Sequence, residues 1–373
     1  MTITGTEAPP RARQRVGSPL DAEDLRSRVH KVIEEFLAQQ GDVLDGVSTD
    51  CGPLVEYVGD LMRGGKRLRA AFCYWGWRAA GAPDAEAVVR AASALEFFQA
   101  AALVHDDVMD DSDTRRGAPA VHRRFATLHR GHDWSGDGER FGLAGAVLAG
   151  DLCLVWSDEL FTASGVDPVA LTRGRAVFDR MRTELMGGQY LDMLEQAVAS
   201  RRPDGALERA RRVIRYKSAK YTIEHPLLLG GRLAGADDAL LASYSAYGLP
   251  LGEAFQLRDD VLGVFGDPSE TGKPAGDDLR EGKRTVLVAE ALANATPAQA
   301  ALVHQLLGDP HLDAAGVDAL REVIVDTGAL AAVEALVDEF VGTSLTALAA
   351  ADVAEPARGV LEGLVAAATA RAS

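Results

Sequence analysis

Residues 88–111 read VVRAASALEFFQAAALVHDDVMDD. Val88, Ala92, Leu95 and Phe98 return at the spacing of one helix face, and the apolar run then gives way to Asp106, Asp107, Asp110 and Asp111. Asp106 and Asp110 are four residues apart, so on an α-helix they lie one above the other, ~6 Å apart along the axis. Like charges in that position destabilise a helix unless a cation sits between them. Carboxylate oxygens suit Mg²⁺, which keeps coordination positions for substrate phosphates when only one or two carboxylates hold it. The stretch therefore predicts a core helix that ends in a divalent-cation site.

A second stretch repeats the pattern. Residues 255–263 read FQLRDDVLG and close an apolar run that begins at Leu249. Asp259 and Asp260 match the first two acids, but the fifth position is Gly263. One such cluster is often only a solvated helix face; two, each behind a long apolar run, argue for a site. If the helices face each other, they enclose a cavity with acid at one mouth.

The helical period recurs along most of the chain. Leu25, Val29, Val32, Ile33 and Phe36 show it, as do Leu54, Val58 and Leu61, and again Val213, Tyr216 and Lys220. Alternating strand patterns are scarce, and alanine, the best helix former, dominates the apolar set. The expected fold class is all-α, a single large helical domain around a central cavity. Breakers fall at 81–84, 131–138, 201–205 and 266–282. Residues 1–20 read as a disordered tail and 21–373 as the helical domain, with Asp21 as the first helix cap and Asp24 as its box partner. No repeat or sustained heptad is evident.

Composition narrows the function classes. The chain has 373 residues and a formal net charge of −16, which disfavours a simple nucleic-acid binder. Hydrophobic residues at 47% and charged residues at 25% are ordinary globular usage, so global disorder is excluded. No stretch approaches the ~20 apolar residues of a bilayer span, and Met1–Pro10 carries no apolar signal core. The 3 cysteines, Cys51, Cys73 and Cys153, form no CxxC pair, so a reducing cytoplasm is expected.

Cationic groups complement the acids. Gly64-Gly65-Lys66-Arg67-Leu68-Arg69 opens a helical pattern, with Lys66 and Arg69 on one face and backbone N–H groups suited to a diphosphate. Arg115-Arg116-Gly117, Lys217-Ser218 and Thr271-Gly272-Lys273 add further cations, and Gly187-Gly188 predicts a kink or a close backbone approach. Acidic clusters plus Lys/Arg suggest polyanionic headgroups held through a divalent metal, and the apolar helices behind suggest a greasy tail. The GxxxxGK[ST] frame, HExxH, GxSxG and a strand-borne GxGxxG are all absent. His122, His129 and His132 read as surface or supporting residues, with no zinc-ligand spacing.

Together these segments resemble the trans-isoprenyl diphosphate synthases, the polyprenyl synthetase family, from about Val29 to the C-terminal region. The carriers are Asp106-Asp107-Val108-Met109-Asp110 with Arg115-Arg116-Gly117, Phe255 to Asp260, and the Gly64–Arg69 block with Ala70 in place of the usual Pro. Gly188-Gln189 with Asp192, and Lys217-Ser218 for Lys-Thr, also match. Gly276-Asp277-Asp278-Leu279 and Gly282-Lys283-Arg284 look closest to actinobacterial geranylgeranyl-type enzymes.

The resemblance implies an isoprenoid synthase fold and a Mg²⁺-dependent, head-to-tail condensation of isopentenyl diphosphate with an allylic diphosphate. Asp106, Asp107 and Asp110 would hold two Mg²⁺, and Asp259 with Asp260 a third, with Asp267 compensating for Gly263 through water. Arg115, Lys217 and Lys273 would bind the allylic diphosphate; Lys66, Arg69, Gln99 and Arg116 would bind isopentenyl diphosphate. Gln189 would stabilise the cation formed on departure of the diphosphate. Ala101 and Ala102, with only methyl side chains, leave room beyond fifteen carbons, and Phe98 is expected to stop growth near twenty. A homodimer is implied, with the face from Val147 to Phe161 including Trp156 as interface or core, and transient membrane contact when a greasy product leaves. The alternatives are a longer-chain polyprenyl synthase, a class I terpene cyclase, and a non-catalytic partner subunit of a heteromeric synthase. A cyclase needs no isopentenyl site, and a regulatory subunit should have eroded acid motifs.

Overall fold

Apolar residues at helical spacing fold into helices wherever they can bury one face, and here nearly every element is one. The computed structural model describes residues 18–198, 204–267 and 276–369. The first helices are α1 (Leu25–Asp45), α2 (Gly52–Met62), α3 (Leu68–Ala79) and α4 (Glu86–Met109). A two-stranded hairpin follows, Thr114–Arg115 paired antiparallel with Ala118–Pro119. Arg116 and Gly117 turn it with φ of 55° and 74°, the positive values that a tight hairpin requires. Next come α5 (Val121–Gly131), α6 (Gly138–Thr162), α7 (Pro168–Val198), α8 (Ala206–Val213), α9 (His225–Ala234) and α10 (Asp238–Phe265). The remaining helices run from Asp277–Arg280 to Ala357–Thr369.

The expected all-α class is what forms. Helix α4 lies at the centre: Phe97 meets Phe36 of α1 edge-on at 5.1 Å and Trp156 of α6 at 6.3 Å. The Ser157 hydroxyl donates to the Ala94 carbonyl at 2.7 Å, closing α6 on α4. Two apolar cores form. One gathers α1 to α7, α9, the first half of α10 and the C-terminal helix; the other gathers Ala254–Val264 of α10 with residues 279–337. Helix α10 thus runs from one core into the other and carries its acids on the stretch that enters the second.

Between α8 and α9 the chain winds as a π-helix over Ile214–Glu224, so 206–234 is one continuous rod with a widened middle. Segments of this kind are rare and gather at functional sites. Lys217, Ser218, Tyr221 and Thr222 all face the central cavity from it.

Three expectations are corrected. Asp21 does not cap α1: it lies inside a 3₁₀ turn, Pro19–Asp24, capped by the Ser18 hydroxyl, and Asp24 precedes α1 in the left-handed region. Residues 1–17 of the expected tail lie outside the described residues, while Leu20 is buried in the first core. Among the described residues, two helices do reach spanning length and hydropathy: 18-residue windows in α4 and α6 have mean hydropathies of 1.5 and 1.4. Alanine supplies much of these averages, so they are reached without an unbroken run of large apolar residues. The α4 window is 72% buried inside the fold, as befits a core helix, against 44% for α6.

Candidate active site

A cavity of about 600 Å³ opens between α3, α4, α7, the π-segment and α10. On α4 it is lined by Glu96, Gln99, Ala102, Leu103 and Asp106, one helix face by spacing. Asp259, Asp260 and Gly263 line it from α10. Lys283 links the two walls: its ammonium is 3.4 Å from Asp110 on the α4 side and 3.4 Å from Asp278 beside α10.

Lys217 reaches Asp106 at 3.0 Å and Asp192 at 2.7 Å. Its position depends on Gly188 of α7: a Cβ there would lie 2.4 Å from the Lys217 backbone nitrogen. Gln189, next along α7, donates to Asp106 at 2.8 Å. The paired glycines therefore mark a close backbone approach, as expected, and α7 runs on through them.

The cationic block sits at the start of α3. Arg69 donates to Thr222 at 2.8 Å and stacks over the Tyr221 ring at 4.1 Å. Tyr221 in turn donates to Gln99. Arg116 reaches back from the hairpin to the Leu61 carbonyl at 2.8 Å. Burial, followed by the charges of Arg67, Arg69 and Arg115, pushes its guanidinium below the usual range. Cations crowded in this way favour a bound anion.

Electrostatics divides the acids. Burial alone would raise Asp106, but Lys217, Lys283 and Arg115 outweigh it and hold its carboxyl well below the ordinary range. Burial and the neighbouring Asp106 charge raise Asp110 to about 6. Burial also pushes Asp259 up to about 7 and Asp260 to about 8. Asp259 is open to the cavity, where the charges of Lys66 and Arg69 act on its carboxylate. An all-oxygen donor set on two facing walls, including a carboxylate open to the cavity, fits a hard divalent cation.

The polyprenyl synthetase family profile matches residues 53–324. The chain belongs to the polyprenyl synthetase family. Among solved structures it is similar to the geranylgeranyl pyrophosphate synthase of Corynebacterium glutamicum, determined in complex with isoprenyl diphosphate and magnesium. The two share 39% identity and a TM-score of 0.89, over 93% of this chain and 98% of that one. It is 32% identical over 263 residues to a geranylgeranyl diphosphate synthase of Saccharolobus solfataricus, covering 70% of this chain and 73% of the relative. It is also 32% identical to heptaprenyl diphosphate synthase component 2 of Geobacillus stearothermophilus, over 91% of this chain and 97% of the relative.

Within this family fold, most of the singled-out residues converge. Lys66, Arg69, Gln99, Ala102, Asp106, Arg115, Arg116, Gln189, Lys217, Asp259 and Asp260 all line the cavity. Asp107 does not. It is one residue, about 100° of helix, round from Asp106, and is 1% exposed in its side chain. It accepts from Arg115 Nε at 2.8 Å, so it positions that guanidinium instead of facing the cavity. Asp110 meets the site through Lys283. Lys273 lies outside the described residues.

Phe98 and Ala101 are fully buried and turned off the cavity face of α4. Phe98 packs edge-on behind Tyr221 at 6.2 Å, and it is Tyr221 that lines the cavity. Asp267 is exposed beyond the end of α10 and away from the lining. Of the two readings given them, surface or supporting, His122 and His129 do not meet the first, since both are buried, while His132 is exposed. Of the expected interface face, Trp156 and Phe161 are core, whereas Val147, Leu148 and Val155 are exposed.

Sequence reasoning missed the buried pair Arg67 and Glu96, 3.5 Å apart, in which Glu96 also accepts from the Ala70 backbone N–H at 3.1 Å. A glutamate inside an otherwise apolar helical run was the available signal. It also missed Tyr221 and Thr222, because the π-winding that brings them to the wall leaves no mark on a 3.6-residue period.

Proposed function

We propose that this prenyltransferase joins isopentenyl diphosphate head-to-tail to an allylic diphosphate and releases geranylgeranyl diphosphate. The observation that carries this reading is one cavity with two acid-bearing walls and a separate cationic block, Lys66, Arg69 and Arg116, beside them. One diphosphate can be held at the acids and a second at the block, which is what a condensation requires and a cyclase does not.

Mg²⁺ held by Asp106, Asp110, Asp259 and Asp260, three ions in our reading, would neutralise the departing diphosphate. Lys217 and Arg115 add fixed positive charge where that group gains negative charge. The allylic C–O bond breaks, the double bond of isopentenyl diphosphate attacks the resulting cation, and a proton is lost to give a chain five carbons longer. Gln189 donates through its nitrogen to Asp106, which leaves its carbonyl oxygen to face positive charge. Leu103, Leu185, Val213, Ile214 and Phe255 present apolar walls that keep water from the cation. Gln99, already accepting from Tyr221, can donate through its amide to the second diphosphate without carrying charge.

We further propose a homodimer, because α6 and α7 expose Leu148, Val155, Met186 and Tyr190 on neighbouring helices joined by the Arg182–Asp158 pair at 2.7 Å. A cytoplasmic location and brief membrane contact at product release complete the reading; the unpaired cysteines fit a reducing compartment.

The test is product length. Purified protein is incubated with Mg²⁺, isopentenyl diphosphate and dimethylallyl, geranyl or farnesyl diphosphate, and products are separated by mass. A twenty-carbon diphosphate is expected. Longer products would keep the condensation and replace the chain length; no condensation from any primer would favour a cyclase or a partner subunit.

A further inference from the structure

The loop between α2 and α3 carries Lys66, and its backbone is an unfavourable one. Gly64, Gly65 and Arg67 take φ of 96°, 88° and 55°. The first two are glycines, but Arg67 has a Cβ, which the left-handed region disfavours. Arg67 is also the N-cap of α3 and gives it no side-chain cap, so the first N–H groups of that helix need acceptors from elsewhere. The loop seats Arg116 as well: a Cβ at Gly65 would lie 3.2 Å from the Arg116 guanidinium, which occupies that space.

Both ends of this loop are tied to one buried carboxylate, Glu96 of α4. Its Oε1 accepts from the N–H of Ala70, the third residue of α3, at 3.1 Å. The cap that Arg67 does not supply therefore comes from another helix. Its Oε2 lies 3.5 Å from Arg67 Nη1. The other terminal nitrogen of Arg67 donates to the carbonyl of Met62, the last residue of α2. The end of α2, the loop and the start of α3 are thus fastened at one point, with Lys66 and Arg69 between the fastenings. The N–H at position 70 exists only because the residue is alanine; the proline usual in this block has none.

We propose that Glu96 is a positioning residue for the second substrate: it fixes the 63–67 loop and the start of α3 so that Lys66, Arg69 and Arg116 form a ready-made cradle for isopentenyl diphosphate. The proposal rests on the prenyl-transfer reading above. Glu96 lies on the cavity wall, where a free carboxylate would repel an anion. Its charge is instead taken up by Arg67 and by the positive end of α3.

Steady-state rates of the full chain with Mg²⁺ give two KM values, one for isopentenyl diphosphate at saturating farnesyl diphosphate and one with the roles exchanged. Glu96→Gln keeps the size of the side chain and an acceptor for the Ala70 N–H, but leaves Arg67 without its counter-charge. It should raise the isopentenyl KM about tenfold and leave the farnesyl KM unchanged. Ala70→Pro removes only the N–H and should raise the isopentenyl KM about threefold, again without moving the farnesyl KM. A Glu96→Gln enzyme that loses Tm but keeps its isopentenyl KM would show a packing role alone and overturn the proposal. A lower isopentenyl KM would show that the carboxylate opposes the substrate, and equal rises in both KM values would show general damage; either result overturns it too. If Glu96→Gln does not fold, Ala70→Pro decides by the same split. A wild-type protein that condenses nothing would remove the prenyl-transfer reading and this proposal with it, whereas an active wild type with unmoved variants removes this proposal alone.

Discussion

Asp106 and Asp259 face one cavity, and their surroundings push their protons in opposite directions. Lys217, Lys283 and Arg115 keep Asp106 ionised despite its burial. Burial raises Asp110 to about 6, Asp259 to about 7 and Asp260 to about 8. An unfolded aspartate titrates near ~4. Between that value and about 8 the metal-free folded chain therefore holds protons that the unfolded chain releases, and its stability falls as pH rises. Asp106 has the opposite sign, contributing stability that is lost only as pH falls below ~4. Cation binding needs ionised carboxylates, so Mg²⁺ should reverse the trend. Scanning calorimetry should show a metal-free Tm that drops from about pH 5.5 to about pH 8, and a Mg²⁺-induced rise that is larger at the higher pH; a flat Tm with a pH-independent Mg²⁺ effect would contradict the assignment. Phe98 belongs to the same scale. It is fully buried behind Tyr221, so Phe98→Ala should cost ~3–5 kcal/mol in urea unfolding and leave the product spectrum unchanged. A longer product from that variant would restore Phe98 as the floor.

At the level of elements, the π-segment and α7 meet backbone to backbone at Gly188. A methyl group there would lie 2.4 Å from the Lys217 nitrogen and 2.5 Å from the Tyr216 carbonyl carbon, and neither can swing aside as a side chain could. Gly188→Ala should therefore cost ~1–3 kcal/mol and lower kcat by displacing Lys217 from Asp106. The neighbouring Gly187 has nothing within 4 Å of its missing Cβ. Gly187→Ala should be neutral or stabilising by up to ~1 kcal/mol, as expected for a helix interior. Equal losses in both variants, read by urea unfolding and steady-state rates, would refute the contact. This pair also shows where sequence reasoning reached its limit. The two glycines announced a close approach, and the acidic cluster announced the cavity wall at Asp106, because both signals are local to one helix. Which glycine makes the contact depends on what packs opposite. The exclusion of Asp107 and Phe98 from the cavity depends on the rotation of α4, which its near-uniform burial conceals. Asp278, on the cavity wall, was hardest to read, because its neighbour Gly263 lies fifteen residues earlier and the two meet only after the chain has doubled back.

For the whole molecule, the two cores of the described residues leave apolar side chains of α6 and α7 without a covering layer. Helix α4 is buried along most of its length, whereas α6, similarly apolar, exposes Val147 at 44%, Leu148 at 57% and Val155 at 61%. The adjoining α7 exposes Met186 at 43% and Tyr190 at 64%. Large apolar side chains gathered on two adjacent helices mark an interaction surface more often than chance exposure does. Between copies of one chain, the commonest closed arrangement sets the same patch against itself about a two-fold axis. Each charge introduced at Leu148 and Val155 would then appear twice at the interface, once from each copy. The wild-type protein should sediment as a dimer, and the double variant Leu148→Glu, Val155→Glu as a monomer. Both positions are exposed in the single chain, so the variant should keep the helical content of the wild type. The same α7 that would carry part of this interface also holds Gly188, Gln189 and Asp192 against Lys217, so loss of the dimer should loosen the site. We expect a kcat reduced by about tenfold, a loss of ~1.4 kcal/mol in transition-state stabilisation. A variant that stays dimeric would move the interface elsewhere, and a monomer with full kcat would sever the link between assembly and site.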